Sequence, residues 1–92
     1  MLELDGEFAR GILFVTLIGK LTEDTVNIFK NQLLNLINKS GINNLVINMD
    51  NIESVDDKGL KEIKEIEKIL KINGGNLTMC NIPHNIKNNC LI

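Results

Sequence analysis

Two strand-length apolar runs, each followed by a segment of helical periodicity and then by a further apolar run, constrain this chain's fold more than any other feature. The first run, Ile12 to Ile18, is broken only by Thr16 and is too apolar on both sides for a solvent-facing strand. Leu2 and Leu4 alternate with Glu3 and Asp5 ahead of Arg10-Gly11, so they read as the first arm of a hairpin whose second strand is central. Thr22 then offers a helix N-cap, with Glu23 and Asp24 in the first turn. Val26, Phe29, Leu33, Leu36 and Ile37 recur at helical spacing up to Ser40-Gly41. Leu45 to Met49 suits a short buried parallel strand, followed by a loop from Asn51 to Val55. Leu60, Ile63, Ile66, Ile69 and Leu70 form a second helical stripe, opposed by lysines and glutamates and ended by Asn73-Gly74-Gly75. Leu77 to Ile82 gives a last strand that Pro83 terminates. The order β-β-α-β-α-β, with right-handed crossovers, predicts a small α/β sandwich on a mixed, mostly parallel sheet.

With 92 residues there is room for one core, and nothing divides the chain, so residues 1–92 read as one domain: clear elements at 2–82 and a weakly defined tail at 83–92. A deep catalytic cavity would compete with that core for apolar residues, which argues against an enzyme for large substrates. Ten basic residues against twelve acidic, no Trp or Tyr and three Phe disfavour both phosphate contacts and base stacking, so no direct nucleic-acid partner is expected. The start, Met1-Leu2-Glu3-Leu4-Asp5, lacks a basic region and a long apolar stretch, and the chain reads as cytoplasmic without membrane insertion.

The informative stretch runs from Leu45 to Leu60, LVINMDNIESVDDKGL: a buried strand, a short connection, Val55, an acidic pair, then Gly59-Leu60 opening an amphipathic helix. It resembles the STAS domain of bacterial anti-sigma-factor antagonists, in which a hydrophobic-Asp-Ser-(Ser/Thr)-Gly-Leu segment opens the corresponding helix. The matching positions are Val55, Asp56, Asp57, Lys58, Gly59 and Leu60. Gly19-Lys20-Leu21-Thr22 looks like the family's Gly-x-Leu segment, and Gly74-Gly75-Asn76-Leu77 precedes the last strand; together the likeness covers roughly residues 2 to 86.

The resemblance implies a protein-binding regulator without catalysis or cofactor. Such a protein sequesters an anti-sigma factor that is also a serine kinase, and phosphorylation of the Ser after the motif Asp releases the partner. Asp57 stands in that phosphoacceptor position and Lys58 in the next, so the usual seryl switch cannot operate here. A phosphoserine carries about −1.5 to −2 and three acceptor oxygens, whereas Asp carries a single charge on a shorter side chain. Two opposed expectations stay open: Asp57 holds a release-like state, or it leaves a binder that no kinase turns off. The ammonium of Lys58 could offset the charge of Asp57 within one turn. Ser54, Asp56, Asp57, Lys58, Gly59 and Leu60 form the candidate partner-binding set, with Gly59 keeping the turn open to the partner. The alternative is a STAS scaffold subunit of a larger assembly or transporter complex, which would tolerate the missing serine.

Bland readings stand beside these. Asp56 and Asp57 are also favourable helix N-terminal acids, with Ser54 or Asp56 as the cap. Asp50, at the end of a parallel strand, invites comparison with a receiver-domain phosphoacceptor but lacks the paired acids after the first strand. Cys80, His84 and Cys90 match no familiar zinc spacing and lack a fourth ligand, so no metal is expected, and the two cysteines read as free thiols. Gly74-Gly75 reads as a turn rather than a phosphate cradle, which leaves a nucleotide-binding class without support. Lys58/Glu62, Lys61/Glu65 and Glu67/Lys71 are spaced for i,i+4 pairs on a solvated face. Family members usually add a further helix after the last strand. The tail here ends Cys90-Leu91-Ile92, and self-association through that end is the expectation.

Overall fold

The computed structural model describes residues 1–83, in the order β1 Leu2–Ala9, β2 Ile12–Leu21, α1 Val26–Ser40, β3 Asn44–Val55, α2 Asp57–Ile72 and β4 Asn76–Cys80. The expected α/β architecture and element order are observed. The tail beyond Pro83, with His84, Cys90 and the proposed self-association end, lies outside the described residues.

Arg10 and Gly11 join β1 to β2 with φ of 53° and 79°, the double positive φ that lets a two-residue turn follow the natural twist of a hairpin. The sheet runs β1-β2-β3-β4, antiparallel in its first pair and parallel in the other two. β2 is therefore interior, as its apolar run requires. Both crossovers advance in the same direction across the sheet, and a right-handed crossover each time puts both helices on the same face. α1 packs on β1 and β2, α2 on β3 and β4, and the helices touch each other.

The core lies in that single layer. Leu13, Val15, Leu17 and Leu21 of β2 and Leu45, Ile47, Met49 and Ile52 of β3 meet Phe29, Leu33 and Ile37 of α1 and Ile63, Ile66 and Leu70 of α2. One consequence differs from the sequence expectation. β2 has a solvent face after all, because with both helices on one side Phe14 and Ile18 keep 41% and 37% of their surface exposed.

Three element boundaries also differ. The first helix starts at Val26, with Thr25 rather than Thr22 before it, and its first turn holds no acidic residue. The Thr25 hydroxyl donates back to the Lys20 carbonyl (2.8 Å) and accepts from the Thr22 amide (2.9 Å), which folds Thr22–Thr25 into a separate turn. Glu23 and Asp24 belong to this turn. The expected loop at Asn51 to Val55 is instead a continuation of β3. Pairing with β2 steps from Thr16↔Asn48 to Ile18↔Asn51 and from Gly19↔Ile52 to Lys20↔Ser54, so β3 carries one extra residue at each of two bulges. The Asn48 carboxamide oxygen accepts from the Asp50 amide at 3.0 Å, supplying a side-chain partner in this irregular stretch. Asp50 consequently lies inside a strand rather than at its carboxyl end. β4 stops at Cys80 instead of Ile82, where Asn81 turns to a φ of 55° and its side chain donates to Asn48 Oδ1 (3.1 Å).

Candidate functional site

β2 and β3 are parallel neighbours, so the connections that leave their carboxyl ends emerge side by side. One is the Thr22–Thr25 turn into α1 and the other is the step at Asp56 into α2. Asp56 joins them. Its extended backbone (φ −92°, ψ −178°) suits an N-cap, and its Oδ1 accepts from the Gly59 amide at 2.8 Å. Its Oδ2 accepts from the Glu23 amide, also at 2.8 Å, across 33 residues of sequence. The Asp56 amide donates to the Leu21 carbonyl at 3.1 Å, and its carbonyl accepts from the Leu60 amide at 3.0 Å. Asp56, not Ser54, is therefore the cap of α2, and it pins the turn before α1 as well.

The amide hydrogen bonds from Gly59 and then Glu23 hold the Asp56 carboxyl below the usual aspartate pKa, outweighing the opposing effect of burial, and the Lys58 amide and ammonium add smaller effects in the lowering direction.

Lys58 reaches away from Asp57. Its Nζ lies 3.1 Å from Glu23 Oε1, both side chains being largely exposed, so its ammonium is engaged by Glu23 rather than by Asp57. This exposed pair adds little stability by itself, but it reinforces the join that Asp56 makes. The expected Lys58/Glu62 pairing gives way to it. Farther along α2, Glu67/Lys71 forms at 3.8 Å, while Glu65 pairs with Lys68 at 4.0 Å rather than with Lys61.

The six candidate residues divide into distinct positions. Asp57 is exposed in the first turn of α2, and Ser54 is half-buried near the end of β3 opposite Lys20. Gly59 is buried, and a Cβ there would meet the Leu21 carbonyl oxygen at 2.5 Å and Leu21 Cγ at 2.9 Å. Its place is beneath the surface, letting α2 start close against the end of β2, rather than keeping a turn open. Leu60 faces the other way, into a hollow it shares with Ile63, Leu77 and Met79 between α2 and β4. The exposed rim thus consists of Glu23, Asp24, Asp57 and Lys58, above Asp56 and Gly59.

Glu23 and Asp24 were not among the candidates. No local pattern marks them, since their link to Asp56 is long-range. The signal available was topological, because parallel neighbouring strands must release their following loops at the same edge.

Among the described residues, no group of three or more His, Cys, Asp or Glu side chains could hold a metal ion. Cys80 is a half-buried free thiol on β4. No described helix is long and apolar enough to cross a membrane.

The fold agrees with comparisons to known proteins. The family model for the STAS domain matches residues 3–90, and the chain belongs to the STAS domain family. An anti-sigma F factor antagonist of Paenibacillus polymyxa is 27% identical over 81 residues, 88% of this chain and 69% of that protein. The solved structure of the anti-sigma factor antagonist SpoIIAA in its unphosphorylated form superposes with a TM-score of 0.76 at 15% identity, over 96% of this chain and 79% of that one. The murine anion transporter Slc26a9, in its inward-facing state, matches with a TM-score of 0.77 at 21% identity, over 92% of this chain and 14% of the transporter. These two likenesses establish the shared fold.

Two outcomes follow from the geometry. Gly59→Ala should destabilise the protein by about 1–3 kcal/mol through overpacking against Leu21, although alanine is the better helix former. Urea unfolding reads this, and a variant as stable as wild type would show that the close approach carries no cost. Asp56 has a folded-state pKa below its unfolded one, so its contribution is complete above the ordinary value of 3.8 and is lost as pH falls through the lowered one. Asp56→Asn should therefore lower the thermal midpoint at pH 7, and the gap to wild type should narrow in acid. A gap independent of pH would assign the loss to something other than the carboxylate charge.

Proposed function

We propose that this chain is an anti-sigma-factor antagonist. It binds an anti-sigma factor of the serine-kinase type through the Glu23–Asp24 turn and the start of α2, and it does so without a seryl phosphorylation switch. The family and the 27% identical antagonist support the general role. The observation that carries the finer reading is the Lys58–Glu23 ion pair beside exposed Asp57.

The sign of the switch follows from charge. Lys58 offsets Glu23, so Glu23, Lys58 and Asp57 together carry one negative charge. The same three positions with a neutral serine at 57 and a neutral residue at 58 would also carry one, from Glu23 alone, and Asp24 adds one more in every case. Phosphorylating that serine would raise the total over the three positions to about −2.5 to −3. These three positions therefore have the charge of an unphosphorylated switch, which favours the reading of a binder that no kinase turns off over that of a built-in release state. The cytoplasm, where sigma factors and their regulators act, is the location that this reading requires.

The Slc26a9 likeness gives the scaffold reading a specific basis, since the same fold forms a small part of a much longer transporter chain. A module of that kind would have no use for an anti-sigma partner.

Calorimetric titration of the purified chain with a purified anti-sigma factor of the serine-kinase type discriminates these readings. Wild type and Asp57→Ser should bind within about tenfold of each other, and Lys58→Glu should weaken binding by about tenfold or more through repulsion and loss of the Glu23 pair. Binding by Asp57→Ser alone would establish the release state instead. Absence of binding by either protein would favour the scaffold reading.

A further inference from the structure

The face of the sheet opposite the helices carries an ordered pattern. Glu3, Asp5 and Glu7 alternate along β1 and are exposed. They stand directly across from Ile18, Thr16 and Phe14 of β2, and Phe14 in turn pairs with Val46 of β3. An acidic column on the edge strand thus borders an apolar ridge, Phe14 and Ile18 being the large exposed side chains of the interior strand. Lys20 lies at the far end, where it lines a shallow hollow with Ile18 and Glu53.

We propose that this face is a docking surface for a protein segment of one chemistry: an amphipathic helix with a narrow apolar stripe and Lys or Arg along one flank. The charge pattern selects this occupant. The acids would repel an anionic membrane and nucleic acid, and a second copy stacked face to face would bring acidic columns into the same interface. Dimensions agree with a helix. Strands lie about 4.8 Å apart, so a helix about 10 Å across covers β2 and β3 while its cationic flank reaches β1. Phe14 to Ile18 spans about 13 Å, or between two and three helical turns.

The surface is separate from the Asp57 rim and does not depend on the anti-sigma reading. Its acids also guard β1, because a strand added antiparallel from another copy would bring further carboxylates against this edge. That leaves the face, rather than the edge, as the place for a partner.

The test uses the full chain, labelled with 15N, and two synthetic helical peptides that share a leucine stripe and differ only in carrying lysines or glutamates along one flank. The lysine peptide should shift the amides of Phe14, Thr16, Ile18 and Val46, bind about tenfold or more tightly than its twin, and weaken as salt rises. Glu3→Lys/Asp5→Lys/Glu7→Lys should reverse the preference, with an otherwise unchanged spectrum showing that the fold persists. Equal binding of both peptides, shifts confined to another face, or no shifts would overturn the proposal. So would a Phe14→Asp variant that perturbs residues 84–92 in the free chain, or that abolishes self-association seen in wild type by sedimentation, because the face would then be occupied by the chain's own tail or by a second copy.

Discussion

Two crossovers of one hand, advancing in the same direction along one sheet, determine most of what this molecule can present. They place α1 and α2 in a single layer, concentrate the core between that layer and β2–β3, and leave the opposite face without a covering helix or strand among the described residues. The same parallel pairing delivers the exits of β2 and β3 to one edge. The rim at Asp57 and the open face at Phe14 are two outcomes of one topological constraint.

At the edge, the fold hands over to one carboxylate. Asp56 accepts from the Gly59 amide and the Glu23 amide, both at 2.8 Å, so a helix cap doubles as a tie between two loops. Gly59 lets the helix approach closely enough for this to happen. A partner that met this edge would meet a preformed surface rather than two independently moving loops, which lowers the ordering cost of association. Asp56 and Gly59 therefore act through the geometry they impose, while Asp57, Lys58 and Glu23 supply the exposed charge.

Much of this was legible in the sequence. The stripes Val26-Phe29-Leu33 and Ile63-Ile66-Leu70 have the 3.6-residue period, and the Ile12–Ile18 run was correctly read as an interior strand. What escaped has identifiable causes. Met49 and Ile52 are both buried but three residues apart, because a bulge lies between them, so the alternation that marks a strand fails and the segment reads as a loop. Thr22 looked like a cap because Ser/Thr followed by acids is a common helix opening, yet the Thr25 hydroxyl is drawn to Lys20 and delays the helix. The uncovered face was hidden because apolar residues on both sides of β2 resemble a strand buried twice. At the candidate site, the segment Asp56 to Gly59 was legible as a helix start, whereas the contact with Glu23 was not, because its bond to Asp56 spans 33 residues.

On the proposed function, recognition occurs at the paired exits of β2 and β3, with Glu23, Asp24, Asp57 and Lys58 as the exposed contacts. The most direct measurement is NMR cross-saturation of the labelled chain in complex with the anti-sigma factor it is proposed to bind, which reports the amides lying against the partner. Strong saturation is expected at residues 22–24 and 57–58, and little along β1 and the far end of α2. Saturation centred on β4 and the Leu60 hollow, with the rim unaffected, would contradict it.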